Sequence, residues 1–198
     1  RRLSVAVVGA TGAVGREMVS LLAQRHFPLR ELRLFASPRS AGKTLPFGRR
    51  RLHVQILKPG CFAGVDFALF AMSSELARTW APQVVAEGAP VIDNSSAYRM
   101  DSSIPLLVPE VNGHRIPRPR RPGILANPNC TAAILLMALK PLHDAGGLTR
   151  VIVSTYQAAS GAGADGIAEL EGQLRGWAKG RKVPARTFPP TLAVHRIP

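Results

Sequence analysis

Acidic residues are scarce in this chain. Twelve Asp and Glu stand against 26 Lys and Arg, a formal net charge of +14 at pH 7. Such an excess raises nucleic-acid binding as a reading. The surplus is mostly Arg, however, and it is scattered along the whole chain. The densest clusters, Arg49-Arg50-Arg51 and Arg115 to Arg121, read as loops. Neither is interleaved with aromatics, as a binder of single strands needs. The charge therefore points more naturally to a protein that handles phosphorylated small molecules, with neither nucleic acid nor membrane expected as a partner. Cysteine is rarer still. Cys61 and Cys130 cannot make a disulfide framework, so reduced thiols and a cytoplasmic setting are expected. No apolar run approaches the length of a membrane span. No apolar segment with a cleavage site follows Arg1-Arg2, so no signal peptide is expected. No Met stands at the start, which reads as a fragment or a processed terminus.

What is present is a sizeable apolar fraction, 46% of 198 residues, enough for one domain or slightly more. Leu3 to Val8 is a continuous apolar run that fits a buried parallel strand. Val14 to Leu22 carries apolar residues at helical spacing, and Glu31 to Ala36 reads as a second strand, completing a βαβ unit. Gly42 to Leu57 is short, basic and hairpin-like. Val65 to Ala71 and Pro90 to Asp93 read as strands. Ser74 to Ala86 reads as a helix capped by Ser73 or Ser74. Leu106 to Val108 and Gly123 to Ala126 are expected as further short strands. Thr131 to Leu142 is apolar and helical. Leu148 to Gln157 is β-branched and strand-like, the expected first strand of a second sheet, and Ala164 to Lys179 reads as a helix. Alternating strands and helices predict an α/β fold, a Rossmann-type doubly wound parallel sheet. The beginning of an incomplete α+β catalytic and dimerisation domain should follow it. The expected division is 1–129 for the first domain and 130–198 for the second.

Gly9-x-x-Gly12-x-x-Gly15 follows a strand and opens a helix. In dinucleotide sites the first glycine permits the tight turn and the second lets the backbone approach the pyrophosphate. The third lets helix and strand pack closely, while the helix N-terminus faces the phosphates. Enzymes that use NAD usually place an acid at the end of the second strand, to hold the ribose 2′-hydroxyl. Here that place reads Ser37-Pro38-Arg39-Ser40, followed by Gly42 and Lys43. A guanidinium and hydroxyls suit a 2′-phosphate, which a carboxylate would repel. The expected cofactor is NADP, with Arg39 and Ser40 at its 2′-phosphate.

Cys130 follows Asn127-Pro128-Asn129. Pro128 disfavours helix at Asn127, so a helix is expected to start around Cys130 or Thr131. A thiolate there would meet unpaired N–H groups and the positive end of the helix dipole. Cys61 lies in a turn, Pro59-Gly60-Cys61-Phe62, and is assigned no chemistry. Two further stretches have the composition of oxyanion sites, Asp93-Asn94-Ser95-Ser96-Ala97-Tyr98-Arg99 and Ser160-Gly161-Ala162-Gly163. A nucleophilic thiol in the same chain as a dinucleotide loop implies oxidation or reduction of an acyl group through a thioester.

With these residues laid out, the chain resembles aspartate-semialdehyde dehydrogenases. The matching stretches run collinearly over nearly the whole chain. They are Gly9 to Gly15, Ala36 to Gly42, Val91 to Ala97, Val108 to Asn112, Asn127 to Thr131 and Tyr156 to Gly163. The resemblance implies reductive dephosphorylation of aspartyl-4-phosphate to aspartate-semialdehyde with NADPH. That reaction serves lysine, methionine and threonine biosynthesis, and phosphate is released. It implies Cys130 as nucleophile and Gln157 as the residue that orients substrate, with Arg99 and Asn129 on the phosphate. It places Gly9, Thr11, Gly12, Ala13 and Val14 around the pyrophosphate, and Ser160, Gly161 and Gly163 near the nicotinamide end. The family also carries a catalytic histidine, a carboxylate-binding arginine and a homodimer interface in a second half. The chain ends before that histidine and arginine, and none of its five histidines, His195 included, lies in the family's histidine motif. The expectation is an N-terminal portion, inactive or nearly so alone. The alternative is a non-catalytic NADP-binding or interaction module derived from the family.

Overall fold

A computed structural model describes residues 1–117, 121–181, 183–188 and 191–194. They form two compact units, Arg1–Val153 and Ser154–Pro198.

The first unit is built on a seven-stranded sheet. Its strands are β1 (Leu3–Val8), β2 (Leu29–Ala36), β3 (Thr44–Phe47), β4 (Arg50–Ile56), β5 (Phe67–Phe70), β6 (Val91–Asp93) and β7 (Ile124–Ala126). Their order is β3-β4-β2-β1-β5-β6-β7. Every neighbouring pair is parallel except β3 with β4, which forms the antiparallel hairpin expected over Gly42 to Leu57. The chain winds from β1 outward through β2, then returns to the other side of β1 with β5. This reversal of strand order is the switch point at which doubly wound sheets bind ligands.

Burial follows from that central place. Val5, Ala6, Val7 and Val8 of β1 are all 0% exposed, because both faces of the strand are covered. Successive side chains alternate between faces. Ala6 and Val8 enter one core with Phe35, Phe62 and Phe70, against helix α2 (Ser74–Ala86) through Ala77, Ala81 and Val84. Val7 and Leu34 enter the other with Val19 of helix α1 (Ala13–Gln24) and Leu45 of the hairpin. Ser73 caps α2, its side chain accepting from Leu76 N–H. Glu87 ties down the Cys61 turn by accepting from Gly60 N–H and Phe62 N–H, both at 2.8 Å.

Two expected strands do not form. Leu106 to Val108 makes only an isolated bridge, Leu106 to Ala126, because the chain turns at Pro109 into the short helix α3 (Pro109–Asn112). Leu148 to Gln157 is not a strand, and Val151, Ile152, Val153 and Tyr156 are exposed. A β-branched run becomes a strand only when a second strand takes up its N–H and C=O groups. No strand among the described residues does so. Helix α4 (Cys130–Gly146) is apolar yet buries no residue, and Ile134 is 73% exposed.

In the second unit, a 3-10 turn (Ala159–Ala162) leads into helix α5 (Gly163–Ala178). Glu169 and Gln173 of that helix hold the following segment. The Glu169 carboxylate accepts from the N–H groups of Arg186, Thr187 and Phe188. The buried Gln173 donates to Glu169 and accepts from Ala193 N–H. The Thr187 N–H, with its neighbours, holds the Glu169 carboxyl below the usual carboxylate range.

Candidate active site and cofactor loop

The chemistry-bearing residues of the first unit lie along the C-terminal ends of the parallel strands. The glycine loop leaves β1 there. Gly9 has φ +84°, and a Cβ on it would lie 2.2 Å from the carbonyl oxygen of Ala71, just past β5. A Cβ on Gly15 would lie 2.2 Å from Gly9 O, which is what lets α1 start so close to the sheet. Gly12 differs. Its φ is −71°, and the nearest atom to a Cβ would be Gly9 O at 3.4 Å, an ordinary contact. Among the described residues no atom crowds a Cβ at position 12. A ligand pressed against the N-terminus of α1 would, so the loop fits a dinucleotide pyrophosphate.

Thr11 Oγ1 donates to Ser40 Oγ at 3.2 Å and joins the loop to the end of β2. Ala13 and Val14 open α1, and Arg16 Nε donates to Thr11 O at 2.9 Å. Ser40 is buried, while Arg39 is exposed in the 3-10 turn Pro38–Ser40. A groove of about 570 Å³ opens between α1 and the hairpin, lined by Ala13, Arg16, Glu17, Leu45 and Pro46. It meets the cofactor loop at Ala13 and lies away from the thiol.

The thiol end is built on β6 and β7. Asn129 is the N-cap of α4, its Oδ1 accepting from Thr131 N–H at 2.9 Å, and Cys130 is the first helical residue. Cys130 is exposed and its sulfur is 3.9 Å from Thr131 Oγ1. Pro128 beside it is buried. Arg99 reaches this turn from the loop after β6, Nε donating to Asn127 O and Nη2 to Asn94 O, both at 2.9 Å. Asp93 is fully buried and folds that loop by accepting from Ser95 N–H and Ser95 Oγ. Tyr98 OH donates to Ala77 O, and burial pushes the phenol above its ordinary range. Cys61 is remote from the thiol turn, with Arg33 Nη1 donating to its carbonyl, and burial pushes its thiol up.

Arg99, Asn129 and Cys130 are thus brought together, as are Gly9, Thr11, Gly12, Ala13, Val14 and Ser40. From β1 to β7 there are three strand spacings, about 14 Å in all, so a ligand held at the loop must be extended to reach the thiol. The remaining candidates are in the second unit. Gln157 is exposed, and a Cβ on Gly161 would lie 3.0 Å from Gln157 Nε2, so those two are neighbours. Ser160 is exposed in the 3-10 turn, and Gly163 has φ +76° at the start of α5. His195 lies outside the described residues. Sequence reading gave no role to Asn94 or Asn127. Both sit inside recognised stretches, but nothing in their spacing reveals that they meet.

Residues 4–118 match the family model described as semialdehyde dehydrogenase, NAD binding domain. The chain belongs to the semialdehyde dehydrogenase family. Residues 139–198 match the family's dimerisation domain. An aspartate-semialdehyde dehydrogenase of Aquifex aeolicus is 47% identical over 196 residues, covering 98% of this chain and 58% of that protein. The crystal structure of aspartate semialdehyde dehydrogenase II from Vibrio cholerae, complexed with ASA, is similar at TM-score 0.90. It is 44% identical and covers 96% of this chain and 57% of that one. The Candida albicans aspartate semialdehyde dehydrogenase, crystallised with NADP, is 30% identical at TM-score 0.64, covering 75% of this chain and 48% of that one. This semialdehyde dehydrogenase chain therefore spans about 58% of the length of the first of these relatives. Among the described residues no helix is long and apolar enough to cross a membrane.

Proposed function

We propose that the chain carries the cofactor loop and the nucleophile of an NADP-dependent aspartate-semialdehyde dehydrogenase. Its role would be in lysine, methionine and threonine biosynthesis. The observation that carries this reading is the convergence of Arg99, Asn129 and Cys130 on one turn, along the strand ends that also bear the glycine loop. Cys130 attacks the acyl carbon of aspartyl-4-phosphate. The carbon–oxygen bond to phosphate breaks, and the product is a thioester. Arg99 and Asn129 hold the departing phosphate, and a guanidinium there stabilises the charge it gains. NADPH, when bound, supplies the hydride that reduces the thioester to the aldehyde and returns the thiolate. Gly9, Thr11, Gly12, Ala13 and Val14 hold its pyrophosphate, with Arg39 and Ser40 at the 2′-phosphate. Gln157 orients the substrate, and Ser160, Gly161 and Gly163 border the nicotinamide.

The functional division we propose is 1–129 for the cofactor and 130–198 for the beginning of the catalytic and dimerisation part. The exposed apolar side chains of α4, Ile134, Met137 and Leu142, suit burial in a homodimer of the whole protein. The test follows phosphate-dependent reduction of NADP by aspartate-semialdehyde, on this chain and on the gene-encoded protein, with Cys130→Ala as control. The 198-residue chain alone is expected to bind NADP with little or no turnover, and the gene-encoded protein to turn over only with Cys130 present. Turnover that survives Cys130→Ala would refute the thioester route. Absence of NADP binding would refute the cofactor assignment. NADP binding without turnover in either preparation would leave the narrower reading, a cofactor-binding module.

A further inference from the structure

Arg99 is not simply a cation beside the thiol turn. Two of its N–H groups are engaged by main-chain carbonyls of two different segments, Asn127 and Asn94. Those two asparagines also bond each other, Asn127 Nδ2 donating to Asn94 Oδ1 at 2.6 Å. Each continues the sheet with its own N–H. Asn94 donates to Phe70 O at the end of β5, and Asn127 donates to Asp93 O at the end of β6. Each asparagine therefore uses its N–H on the sheet, its C=O on Arg99 and its side chain on the other. All three residues are partly buried, where a neutral amide pair loses little to water. Asn127 is followed only by the buried Pro128 and the cap Asn129 before Cys130. Proline fixes one of the few torsions left in that link. The cap bond to Thr131 N–H fixes the far side.

We propose that Asn94 and Asn127 are positioning residues for Cys130. Together with Arg99 they form a three-residue clamp that fixes the nucleophile's turn to the ends of β5 and β6. Arg99 has a double task in this scheme. Its Nε–Nη2 edge is committed to the clamp, and the Nη1 side remains for the phosphate, a point that rests on the functional reading above. Removing either asparagine amide releases the turn, and the first turn of α4 then samples coil conformations. The clamp is one unit, so losing both amides does little more than losing one.

The test has two arms. The first measures the rate at which iodoacetamide alkylates Cys130 in a Cys61→Ser background, for Asn94→Ala, Asn127→Ala and the pair. The reference is an unstructured peptide spanning Leu125 to Ala133. The folded protein is expected to differ from the peptide. Each single change should move the rate at least about threefold toward the peptide value, with the double change no further than the singles. Multiplicative effects of the two changes would overturn the clamp. So would unchanged rates in variants whose melting temperature has fallen, or a folded protein that already reacts like the peptide. The second arm measures steady-state kinetics of the gene-encoded protein. A misplaced nucleophile should lower kcat about 10- to 100-fold and leave the KM for NADP within twofold. A change confined to that KM would overturn the positioning role. Turnover that persists in Cys130→Ala would instead overturn the functional reading, and the alkylation arm would still judge the clamp.

Discussion

Gly12 and Gly15 belong to the same loop, and the structure gives them opposite reasons for being glycine. A methyl at position 15 would lie 2.2 Å from Gly9 O and 2.8 Å from Ala10 Cα. Both obstacles are backbone, so α1 must move off the sheet. Overpacking of this kind costs about 1–3 kcal/mol, and a clash this deep lies at the upper end. For a domain of this size about 1 kcal/mol shifts the melting temperature by about 2–4 °C. Gly15→Ala should therefore lower it by about 6–12 °C. A methyl at position 12 meets nothing closer than 3.4 Å. Its cost without ligand is the loss of a tolerated N-cap, about 0.5–1 kcal/mol, or about 1–4 °C. With cofactor the order reverses, because a Gly12 side chain occupies the space through which the pyrophosphate approaches. Gly12→Ala should weaken NADP binding at least about tenfold, equivalent to about 1.4 kcal/mol. Thermal melts without ligand and calorimetric titration with NADP, both on the 198-residue chain, measure the two effects separately. Normal NADP affinity in Gly12→Ala would refute the assignment of this turn to the cofactor. An unshifted melt in Gly15→Ala would refute the packing argument.

Arg39 is exposed in the turn after β2. Arg39→Glu should cost NADP about 10- to 100-fold in affinity, as expected when a charge-assisted hydrogen bond worth about 1.5–3 kcal/mol is lost. NAD affinity should be unchanged or improved, and parallel titrations with both nucleotides read the switch. The Thr187 N–H and its neighbours lower the Glu169 carboxyl, so the contact adds stability above the unfolded carboxylate range. That stability is lost as pH falls through the lowered value. The hydrogen-exchange protection of residues 183–188, taken relative to intrinsic exchange at each pH, should fall in acid below about pH 4, the ordinary carboxylate range. In Glu169→Gln this acid loss of protection should disappear, whereas retention of the acid step would assign it to another group.

The central sheet was legible because its signals are local. A fully apolar Leu3 to Val8, a glycine turn and helical spacing after it need no distant partner to be read. Leu148 to Gln157 was misread for the converse reason, since its β-branched residues describe a surface that fits a sheet while pairing depends on another segment. Leu106 to Val108 has the same apolar signature, but Pro105 and Pro109 flank it and only one bridge forms. At the site, Cys130 stood out through its proline and its apolar helix, and Arg99 through the resemblance. The bonds from Arg99 to Asn94 and Asn127 were not legible, because they join residues brought together only by the parallel pairing of β6 and β7.

The strands that carry the site differ in how firmly they are held. The glycine loop grows from β1, which has a paired strand on each side and no exposure from Val5 to Val8. The thiol turn grows from β7, a three-residue strand at the sheet's border that is held on its outer side, among the described residues, by a single bridge. Border elements of this kind open locally at a fraction of the global unfolding free energy. Rigidity is therefore graded along the site. A fluctuation that peels β7 away displaces Cys130 and leaves the glycine loop intact. Heat, denaturant or a destabilising substitution should disorder the turn that carries Cys130 well before the chain stops recognising its cofactor.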